Sequence, residues 1–551
     1  MFVLLDDQAV HRQLYFTDPV AVITHRLGDP VEDLFAAIEA AQAHGKWIAG
    51  LFSYEFAAAL EPTLAHIADT GAEVVKLGVF DAPSDHPPAD MVYRAEAPTV
   101  SLSPDWTQDD YLSRYDAVEQ YLRAGDAYQI NLTFPMRGQT SADAAALYAG
   151  FRRRQPGRYG AIISLGGSDV ISFSPELFFK KRGRSMRMRP MKGTRPKSST
   201  DDMTLDVKSR AENLMIVDLL RNDLSRLCEP GSVKVPELFA IEDYPTLVQM
   251  TSQVTGELRD GINWSEIFHA LFPCGSVTGA PKIRAMEIIH DLESGPRGAY
   301  CGAVGYISPD GDAAFSVAIR TAVLDEGTLR YDVGSGVVLD SDGPDEYREC
   351  LLKADIWTPN PETQFETFRT GPDGPVRANA HTKRFGADMP DIAATAEPHR
   401  IRIARHRGGA TTLTSVPLIP LNTPLKLAIS RYPLTSIVQR TDIKTAHRDF
   451  YDGERERIGT LVSADEVLFL GADGSLKEGS FTSLFVQIGD QLVTPRGPGL
   501  LPGILRAELL AAGQAVEGDI SLDDLLSADA ILVGNSLRGL MPAMLISPDL
   551  V

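Results

Sequence analysis

The stretch Ser174–Lys197 most constrains the fold, because it predicts a β-hairpin near the middle of a chain of 551 residues. One strand begins at Leu177, the turn is centred on Gly183, and the return strand ends at Pro190, which lacks a backbone donor. A hairpin brings its two outer ends together. We therefore expect the residues that flank the two strands to face one site.

An acid and an amine flank the two strands of this hairpin. Glu176 precedes the first strand, and Lys192 follows the second, with Gly193 and Thr194 directly after it. Such a pair can transfer protons on a bound ligand. Nine lysines and arginines fall within residues 180–197 of a chain whose net charge is −21, which favours an anionic ligand. The alternative is a solvated basic edge that repels other sheet edges.

Length and composition indicate two or three domains. A chain of 551 residues exceeds one ordinary domain, and a hydrophobic content of 44% is enough for sizeable cores. The start of the chain has no signal pattern, and no apolar run reaches about 18 residues, so we expect a cytoplasmic protein without a membrane segment. The acidic balance argues against a nucleic-acid binder. The four scattered cysteines indicate reduced thiols.

The ends of the hairpin resemble a known enzyme family. Ser174–Glu176 and Pro190–Pro196 are similar to segments of the chorismate-utilising enzymes, which include anthranilate synthase and aminodeoxychorismate synthase component I. Lysine at position 192 is typical of aminodeoxychorismate synthases, whereas anthranilate synthases carry a small residue there. Gly125–Thr133 resembles the amine-adding members, because Gln129 stands where water-adding members carry lysine.

This resemblance covers residues 1–357 in motif order and implies an α+β fold. The expected core is an antiparallel β-sandwich wrapped by helices, with an N-terminal part at residues 1–95 and a chorismate-binding catalytic domain at 96–357. Lys192 and Glu176 would be catalytic. The residues implied to bind chorismate are Thr194, Tyr300, Arg320, Gly334, Ser335, Gly336 and Lys353.

Two of the implied chorismate ligands lie in stretches that predict strands. Arg297–Tyr306 contains Tyr300, and Phe315–Thr321 contains Arg320. An arginine matches a carboxylate with two hydrogen bonds, although a lone strand arginine more often faces solvent. The glycine-rich stretch Phe272–Lys282 resembles a family loop near the substrate. Its alternative is a structural loop before a helix, and it lacks the ending of a phosphate loop.

Three glutamates are implied as ligands of Mg²⁺, a cation that prefers carboxylate oxygens. Glu212 lies in the predicted helix Asp206–Leu227, where the alternative is an ordinary exposed glutamate. Glu346 and Glu349 are three residues apart on another helix, so both lie on one face. Two such carboxylates repel each other unless a cation lies between them. The alternative is a surface charge ladder, since Lys353 is one turn beyond Glu349.

Residues 358–551 resemble the fold-type-IV pyridoxal-phosphate enzymes, and most of all the 4-amino-4-deoxychorismate lyases. This resemblance implies a two-subdomain fold that follows a linker at Trp357–Pro361. The motifs that carry it are Phe365–Arg369, His381–Phe385, Ile443–Thr445, Leu476–Ser483 and Leu501–Arg506.

The same resemblance assigns the pyridoxal-phosphate site. Lys444 would form the covalent link to the cofactor, Glu478 would pair with its pyridine nitrogen, and Arg384 would contact its phosphate. Taken alone, Lys444 would be predicted to be an exposed lysine. Its assigned role therefore depends on the order of the motifs in residues 358–551. The remaining phosphate contacts are expected from the helix start at Gly503 and Ile504, and from Ser536.

The second half departs from its family at one point. Arg384 and Lys444 are only 60 positions apart, which is shorter than the family usually shows. Residues 388–400 contain two prolines and no clear amphipathic helix. We therefore expect a shortened small subdomain, which puts substrate binding and dimer contacts in question.

Together the two resemblances imply a fused enzyme of 4-aminobenzoate and folate synthesis. The first half would convert chorismate and ammonia to 4-amino-4-deoxychorismate with Mg²⁺, and the second would release pyruvate with pyridoxal phosphate. No glutamine amidotransferase half is visible, so ammonia is expected from a separate subunit, and the C-terminal domain allows a homodimer. The alternatives are an anthranilate synthase with a degenerate, non-catalytic tail, and a non-catalytic chain whose C-terminal half serves only assembly.

Overall fold

The computed structural model describes residues 1–154, 158–196, 207–243, 247–358, 362–387 and 389–551. It contains two compact units, Met1–Pro87 with Pro98–Thr358, and Pro88–Ala97 with Pro359–Val551. The part predicted as N-terminal, residues 1–95, therefore contributes residues 88–95 to the second unit. The predicted linker falls mainly on residues 359–361, which lie outside the described residues.

The described ranges contain both helices and strands. The helices are α1 (Val31–Ala43), α2 (Ala57–Leu60), α3 (Ala89–Val92), α4 (Gln108–Ala124), α5 (Ala144–Phe151), α6 (Val207–Ser225), α7 (Trp264–Leu271), α8 (Lys282–Leu292), α9 (Gly343–Leu352), α10 (Ala378–Phe385), α11 (Asp449–Val462), α12 (Ile504–Ala511) and α13 (Leu522–Leu526). The strands of the first unit are β1 (Phe2–Asp7), β2 (Arg12–Thr17), β3 (Ala21–Arg26), β4 (Trp47–Phe52), β5 (Glu73–Phe80), β6 (Ser103–Pro104), β7 (Gln129–Gln139), β8 (Tyr159–Ser164), β9 (Asp169–Ser174), β10 (Leu177–Arg182), β11 (Ser185–Arg189), β12 (Met191–Pro196), β13 (Lys234–Asp243), β14 (Leu247–Glu257), β15 (Gly279–Ala280), β16 (Ala303–Ile307), β17 (Ala313–Val317), β18 (Thr321–Asp325) and β19 (Thr328–Val337). Those of the second unit are β20 (Glu362–Gly371), β21 (Gly374–Pro375), β22 (His399–His406), β23 (Thr411–Pro417), β24 (Leu425–Ile429), β25 (Glu466–Leu470), β26 (Leu476–Gly479), β27 (Ser483–Ile488), β28 (Gln491–Pro495), β29 (Val516–Gly518), β30 (Ala530–Asn535) and β31 (Gly539–Leu550).

The first unit is built on two antiparallel sheets. One has the order β15-β7-β19-β18-β9-β8-β1-β2, with β6 beside β7, and the other has the order β12-β14-β11-β10-β17-β16-β4-β5-β3, with β13 beside β14. Buried side chains from both sheets, among them Phe16 and Ile163 on one and Phe80 and Val304 on the other, share one core. This arrangement confirms the predicted antiparallel β-sandwich.

Helices cover the other face of the second sheet. Phe52 and Phe179 of that sheet pack in one large core with Phe35 of α1, Ile216 of α6 and Phe268 of α7. The rings of Phe52 and Phe268 lie with their centroids 4.3 Å apart. Burial of these large apolar side chains drives the packing of the helices on the sheet.

The predicted hairpin is confirmed as strands β10 and β11. Lys180 pairs with Arg187, and Gly183 adopts a φ of 54° in the turn, a conformation that glycine adopts without strain. After Pro190 the chain continues as β12, which pairs with β14 and carries Lys192 opposite Met250. The sheet therefore fixes the position of Lys192.

The second unit contains a small and a large sheet, as the predicted two-subdomain fold requires. The small sheet has the order β21-β20-β22-β23, and the large one has the order β26-β25-β24-β31-β30-β27-β28-β29. Residues 389–398 form no helix or strand, in agreement with the expected absence of an amphipathic helix there.

Segment 88–97 packs into the second unit, although the sequence indicates only a proline-rich loop. The hydroxyl of Tyr93 donates a hydrogen bond of 2.9 Å to the buried carboxylate of Glu454, which also pairs with Arg457 at 2.6 Å. Among the described helices, none has the length and apolar character that crossing a membrane would require.

Candidate active sites

Lys192 lies where four segments of the first unit meet. Its Nζ is 3.9 Å from Oε2 of Glu212 on α6. A methyl carbon added at Gly336 would lie 3.1 Å from Lys192 Nζ and 3.0 Å from Nε2 of Gln129. Strands β7 and β19 hold the last two residues together, because Gly336 pairs with Asn131. The amine therefore faces a glycine, an amide and a carboxylate.

Glu176 is a buried acid suited to proton transfer. Burial raises its pKa to about 7, against weaker lowering effects of a hydrogen bond from Ser276 and of the charge on Lys192. Its Oε1 atom has no hydrogen-bond partner among the described residues. Because both protonation states are populated at neutral pH, this carboxyl group can donate or accept a proton.

Two further buried side chains present polar atoms without partners in the described part of the chain. Both amide atoms of Gln129 and the Nη1 atom of Arg320 are buried and unpaired there. Arg320 also has a φ of 53°, which a residue with a side chain rarely adopts. Since unpaired buried polar atoms are unfavourable, each of these two groups would gain from contact with a polar ligand.

The strands predicted for Arg297–Tyr306 and Phe315–Thr321 are wrong in part. Tyr300 lies in a turn before β16, and Arg320 lies between β17 and β18. The backbone N–H groups of Arg297 and Gly298 donate to the Glu55 carboxylate at 2.7 and 3.1 Å, so they are not available for strand pairing. The left-handed φ of Arg320 interrupts the second stretch.

The glycine segment of β19 is linked to α9. Lys353 Nζ donates to the backbone oxygen of Gly334 at 2.8 Å and pairs with Glu349 at 2.7 Å. The hydroxyl groups of Tyr111 and Ser335 are 3.0 Å apart. Lys353 therefore joins α9 to the segment of β19 that is predicted to bind substrate. Thr194 lies on β12, and its side chain is outside the described part.

The three predicted metal ligands do not form a metal cluster in the described residues. No group of three or more His, Cys, Asp or Glu side chains there could hold a metal ion. Glu346 is buried and accepts a hydrogen bond of 2.8 Å from Ser341. The pair between Glu349 and Lys353 is the contact that the charge-ladder alternative predicts.

Most cations of the hairpin line another cavity of the first unit. This cavity has a volume of about 360 Å³ and is lined by Lys180, Arg182, Arg187 and Arg189 of the hairpin. Asp7 also lines this cavity, and burial raises its pKa, although the charges of Lys180 and Arg158 lower it. The basic stretch therefore divides between this cavity and the surroundings of Lys192.

The second unit brings the predicted cofactor residues to one cavity of about 330 Å³. Lys444, Glu478 and Arg384 line it from separate segments. The predicted phosphate contacts Gly503, Ile504 and Ser536 line the same cavity, and Gly503 is the N-cap of α12. An amine, an acid, an arginine and a helix N-terminus around one space fit a ring that carries a phosphate.

Lys444 is partly buried where it lines the cavity. Burial lowers its pKa to about 7, although the nearby Glu366 carboxylate favours the charged form. Nζ lies 5.0 Å from the centre of the Phe365 ring. Because part of the amine is neutral at neutral pH, it can act as a nucleophile or a base.

Glu366 and His381 support the cavity, and the sequence assigned them no role. Arg384 donates two hydrogen bonds to Glu366, at 2.7 and 2.6 Å, and His381 Nδ1 is 2.7 Å from the same carboxylate. Burial alone would raise the pKa of Glu366, but the hydrogen bonds from His381 and Arg384 lower it to about 2. His381 Nε2 is 2.7 Å from Ser536 Oγ, so this network orients both the arginine and the hydroxyl group.

Glu478 is a buried acid in the lining of the same cavity. Its carboxyl group accepts hydrogen bonds from the Tyr451 hydroxyl at 2.5 Å and from the Leu501 N–H at 3.0 Å. Burial raises its pKa to about 7 against these two hydrogen bonds. A buried carboxylate held in this way is stabilised by a protonated nitrogen nearby.

Comparison with known protein families accounts for both units. The model of the chorismate binding enzymes matches residues 1–359. The chain belongs to this family. A second model, of the class IV amino-transferases, matches residues 387–546, and this domain type implies pyridoxal phosphate. The chain therefore joins a chorismate-binding enzyme fold to a class IV aminotransferase-like domain.

The curated relatives include two kinds of synthase. The chain is 43% identical over 272 residues to the aminodeoxychorismate synthase of Streptomyces griseus, a match that covers 47% of this chain and 38% of that protein. It is 39% identical over 269 residues to the anthranilate synthase component 1 of Streptomyces coelicolor, covering 47% and 53%. The matched part of the chain thus spans about half of the length of one of these relatives and less than half of the other.

A solved structure shares the fold of the first unit. Anthranilate synthase component I from Streptococcus pneumoniae superposes with a TM-score of 0.53 at 24% identity, and the match covers 65% of this chain and 90% of that one. At this level of identity the likeness shows the fold alone.

Proposed function

We propose that this chain is a fused aminodeoxychorismate synthase and lyase. The observation that carries the proposal is Lys192, whose amine lies beside Gln129 and Gly336 at the predicted substrate position. Both kinds of synthase occur among the relatives, so overall similarity does not choose between them. A lysine at this position favours aminodeoxychorismate as the product, and Gln129 disfavours water as the nucleophile.

The first reaction uses two side chains that lie close together. The amine of Lys192 adds to ring carbon 2 of chorismate, the ring double bonds shift, and the 4-hydroxyl group leaves with its electron pair. Protonated Glu176 donates the proton that lets it leave as water. Ammonia then adds at carbon 4, Lys192 departs from carbon 2, and the Glu176 carboxylate accepts the proton that ammonia releases.

The second reaction takes place in the cavity of the second unit. Pyridoxal phosphate, when bound, withdraws electrons from ring carbon 4, which carries the amino group. Arg384, Ser536 and the start of α12 would hold the phosphate. The Lys444 amine accepts the proton from carbon 4 as the enolpyruvyl group leaves carbon 3 with the electron pair of its C–O bond. The ring becomes aromatic, which gives 4-aminobenzoate, and the released enolpyruvate takes up a proton to become pyruvate.

The partners follow from the chemistry of the proposal. We propose chorismate as the substrate and a separate glutamine amidotransferase as the source of ammonia, in the cytoplasm. A homodimer through the C-terminal domain is also proposed. Purified chain alone should therefore use ammonium salts and fail to use glutamine, and added amidotransferase subunit should restore the use of glutamine.

One assay tests the whole proposal. The purified protein is given chorismate, ammonia and Mg²⁺, with and without pyridoxal phosphate, and the products are separated by chromatography. Aminodeoxychorismate without the cofactor, and 4-aminobenzoate with it, are the expected products. Anthranilate would favour the anthranilate synthase alternative, and no product would favour an assembly role.

We also propose that Glu212, Glu346 and Glu349 bind Mg²⁺ once substrate is present. Glu346→Gln removes a charge and little volume, so the protein should fold while its Mg²⁺ requirement rises about 10-fold or more. The measurement is the Mg²⁺ dependence of chorismate consumption. Asp345→Asn, on the exposed side of the same helix, is the control. An unchanged Mg²⁺ dependence in Glu346→Gln would favour the charge ladder.

The rate of cofactor attachment should depend on pH in a defined direction. Only the neutral Lys444 amine attacks, and its pKa of about 7 makes the neutral fraction fall as pH decreases. The initial rate of appearance of the visible band should be roughly five-fold lower at pH 6 than at pH 7. Glu478 titrates in the same range, so Glu478→Gln is measured in parallel. A profile that disappears in that variant would assign the pH dependence to Glu478 instead.

A further inference from the structure

Four arginines that line the cavity in the second unit have no role in the proposed chemistry: Arg400, Arg448, Arg455 and Arg538. Six cationic side chains line this cavity: Arg384, Arg400, Lys444, Arg448, Arg455 and Arg538. Among the lining residues, Glu478 is the acid. An excess of positive charge around a cavity attracts anions, even in a chain of net charge −21. The cofactor phosphate accounts for only part of this excess.

Three of the arginines already have carboxylate partners within the protein. Arg384 is held by Glu366, and Arg448 and Arg455 lie 3.6 and 3.3 Å from the Asp452 carboxylate. These arginines therefore have limited capacity for another anion. The cations that remain to be assigned are Arg400 and Arg538.

Arg400 and Arg538 line the same cavity, and neither has an acidic partner in the described ranges. Arg538 follows β30 and donates a hydrogen bond of 2.7 Å to the backbone oxygen of Ile419. Burial lowers the pKa of Arg538, and the charge of Arg400 on β22 lowers it further. The two positive charges repel each other, and an anion that binds both arginines would offset this repulsion.

The cavity wall beside this pair is partly apolar. Leu537 directly precedes Arg538, and Leu421 lies two residues after Ile419, whose backbone oxygen Arg538 contacts. Phe481 adds an aromatic side chain to the lining. A flat ring can pack on such side chains while a carboxylate on that ring contacts the guanidinium groups. The lining therefore suits a carboxylated ring better than a small amino acid.

We propose that Arg400 and Arg538 bind a substrate carboxylate remote from the reacting amine, and so select a ring amine with two carboxylates over monocarboxylate amino acids. This inference rests on the proposed lyase function, whose substrate carries a ring carboxylate and an enolpyruvyl carboxylate. Lys444 and the cofactor act at the amine, whereas the arginine pair fixes the opposite part of the molecule.

Steady-state kinetics of Arg400→Gln and Arg538→Gln test the proposal. Each variant should raise the KM for aminodeoxychorismate by about 10-fold or more and change kcat less, because a charge-assisted hydrogen bond to the substrate is lost. Arg400→Lys and Arg538→Lys keep the positive charge, so they should recover part of the affinity for the substrate. Arg496→Gln is the matched control, since Arg496 is exposed and pairs with Asp519. The visible band should be unchanged in all variants, which separates substrate binding from cofactor binding.

Binding of simple acids, followed by the change in the visible band, gives a second readout that does not require turnover. Isophthalate has two carboxylates on one ring, and benzoate has one. Isophthalate should perturb the visible band of the wild type at lower concentration than benzoate, and both glutamine variants should lose this difference. Equal responses to the two acids, or unchanged KM values in both variants, would overturn the proposal.

The lyase function and the role of the arginine pair can fail separately. If the wild type binds the cofactor and releases no pyruvate from aminodeoxychorismate, the lyase function is wrong, and the isophthalate response alone decides the role of the arginines. If the wild type releases pyruvate and the variants match it in KM, the lyase function stands and the arginine pair has no part in specificity.

Discussion

Replacing Lys192 with alanine should abolish the formation of aminodeoxychorismate and redirect any remaining reaction toward carbon 2. The amine lies beside Gly336 and Gln129, within reach of a ring bound there, and it is the group proposed to occupy carbon 2. Without it, ammonia can add at carbon 2 directly, which gives the anthranilate series. We expect the rate of aminodeoxychorismate formation to fall by about 100-fold or more, since a covalent step is lost.

The measurement is product analysis with chorismate, ammonia and Mg²⁺. Lys46→Ala is the control, because Lys46 pairs with Asp81 at the surface of the same unit and such pairs contribute little to stability. Circular dichroism of both variants establishes that they fold. Aminodeoxychorismate formed by Lys192→Ala at the wild-type rate would exclude Lys192 as a nucleophile.

The local patterns of this chain predicted its elements well. The hairpin follows from strand alternation, a glycine turn and Pro190, and the structure gives β10 and β11 with nearly the same bounds. Helix α4 is bounded by signals of the same local kind, since Thr107 and Asp110 form a reciprocal cap at its start and Gly125 ends it with a φ of 82°. Such signals lie within a few residues of each other, so the sequence displays them directly.

Contacts between distant residues could not be predicted in the same way. The Glu55 carboxylate accepts hydrogen bonds from the backbone N–H groups of Arg297 and Gly298, more than 240 positions away. The predicted strand is therefore a turn at these residues. His381 and Glu366 lie in recognisable motifs, but their joint hold on Arg384 and Ser536 depends on the folded second unit. Chain separation hides these partners, because no periodic pattern connects them.

The second large effect is expected at Lys444. The cavity around it supplies an acid for a ring nitrogen, an arginine held by Glu366 and the N-cap of α12, which together fit pyridoxal phosphate. We therefore predict that the wild type, given the cofactor, develops a visible absorbance band, and that Lys444→Ala shows none. Pyruvate release from aminodeoxychorismate should fall by about 1000-fold or more, because the variant loses both the attachment point and the base.

The short segment between Arg384 and Lys444 is expected to affect turnover more than binding of the cofactor. The cofactor contacts come from residues that the structure brings to one cavity, whereas residues 389–398 supply no helix to cover the substrate side. Misplacement of a substrate by about 1 Å can lower a rate on the order of 100-fold. Lys477→Ala serves as the control for Lys444→Ala and should keep the band, because Lys477 lies on β26 and pairs with Asp473. A wild type that folds without a band would mean that the second unit is a remnant. A band without pyruvate would instead mean that the cofactor site is intact and the substrate site is lost.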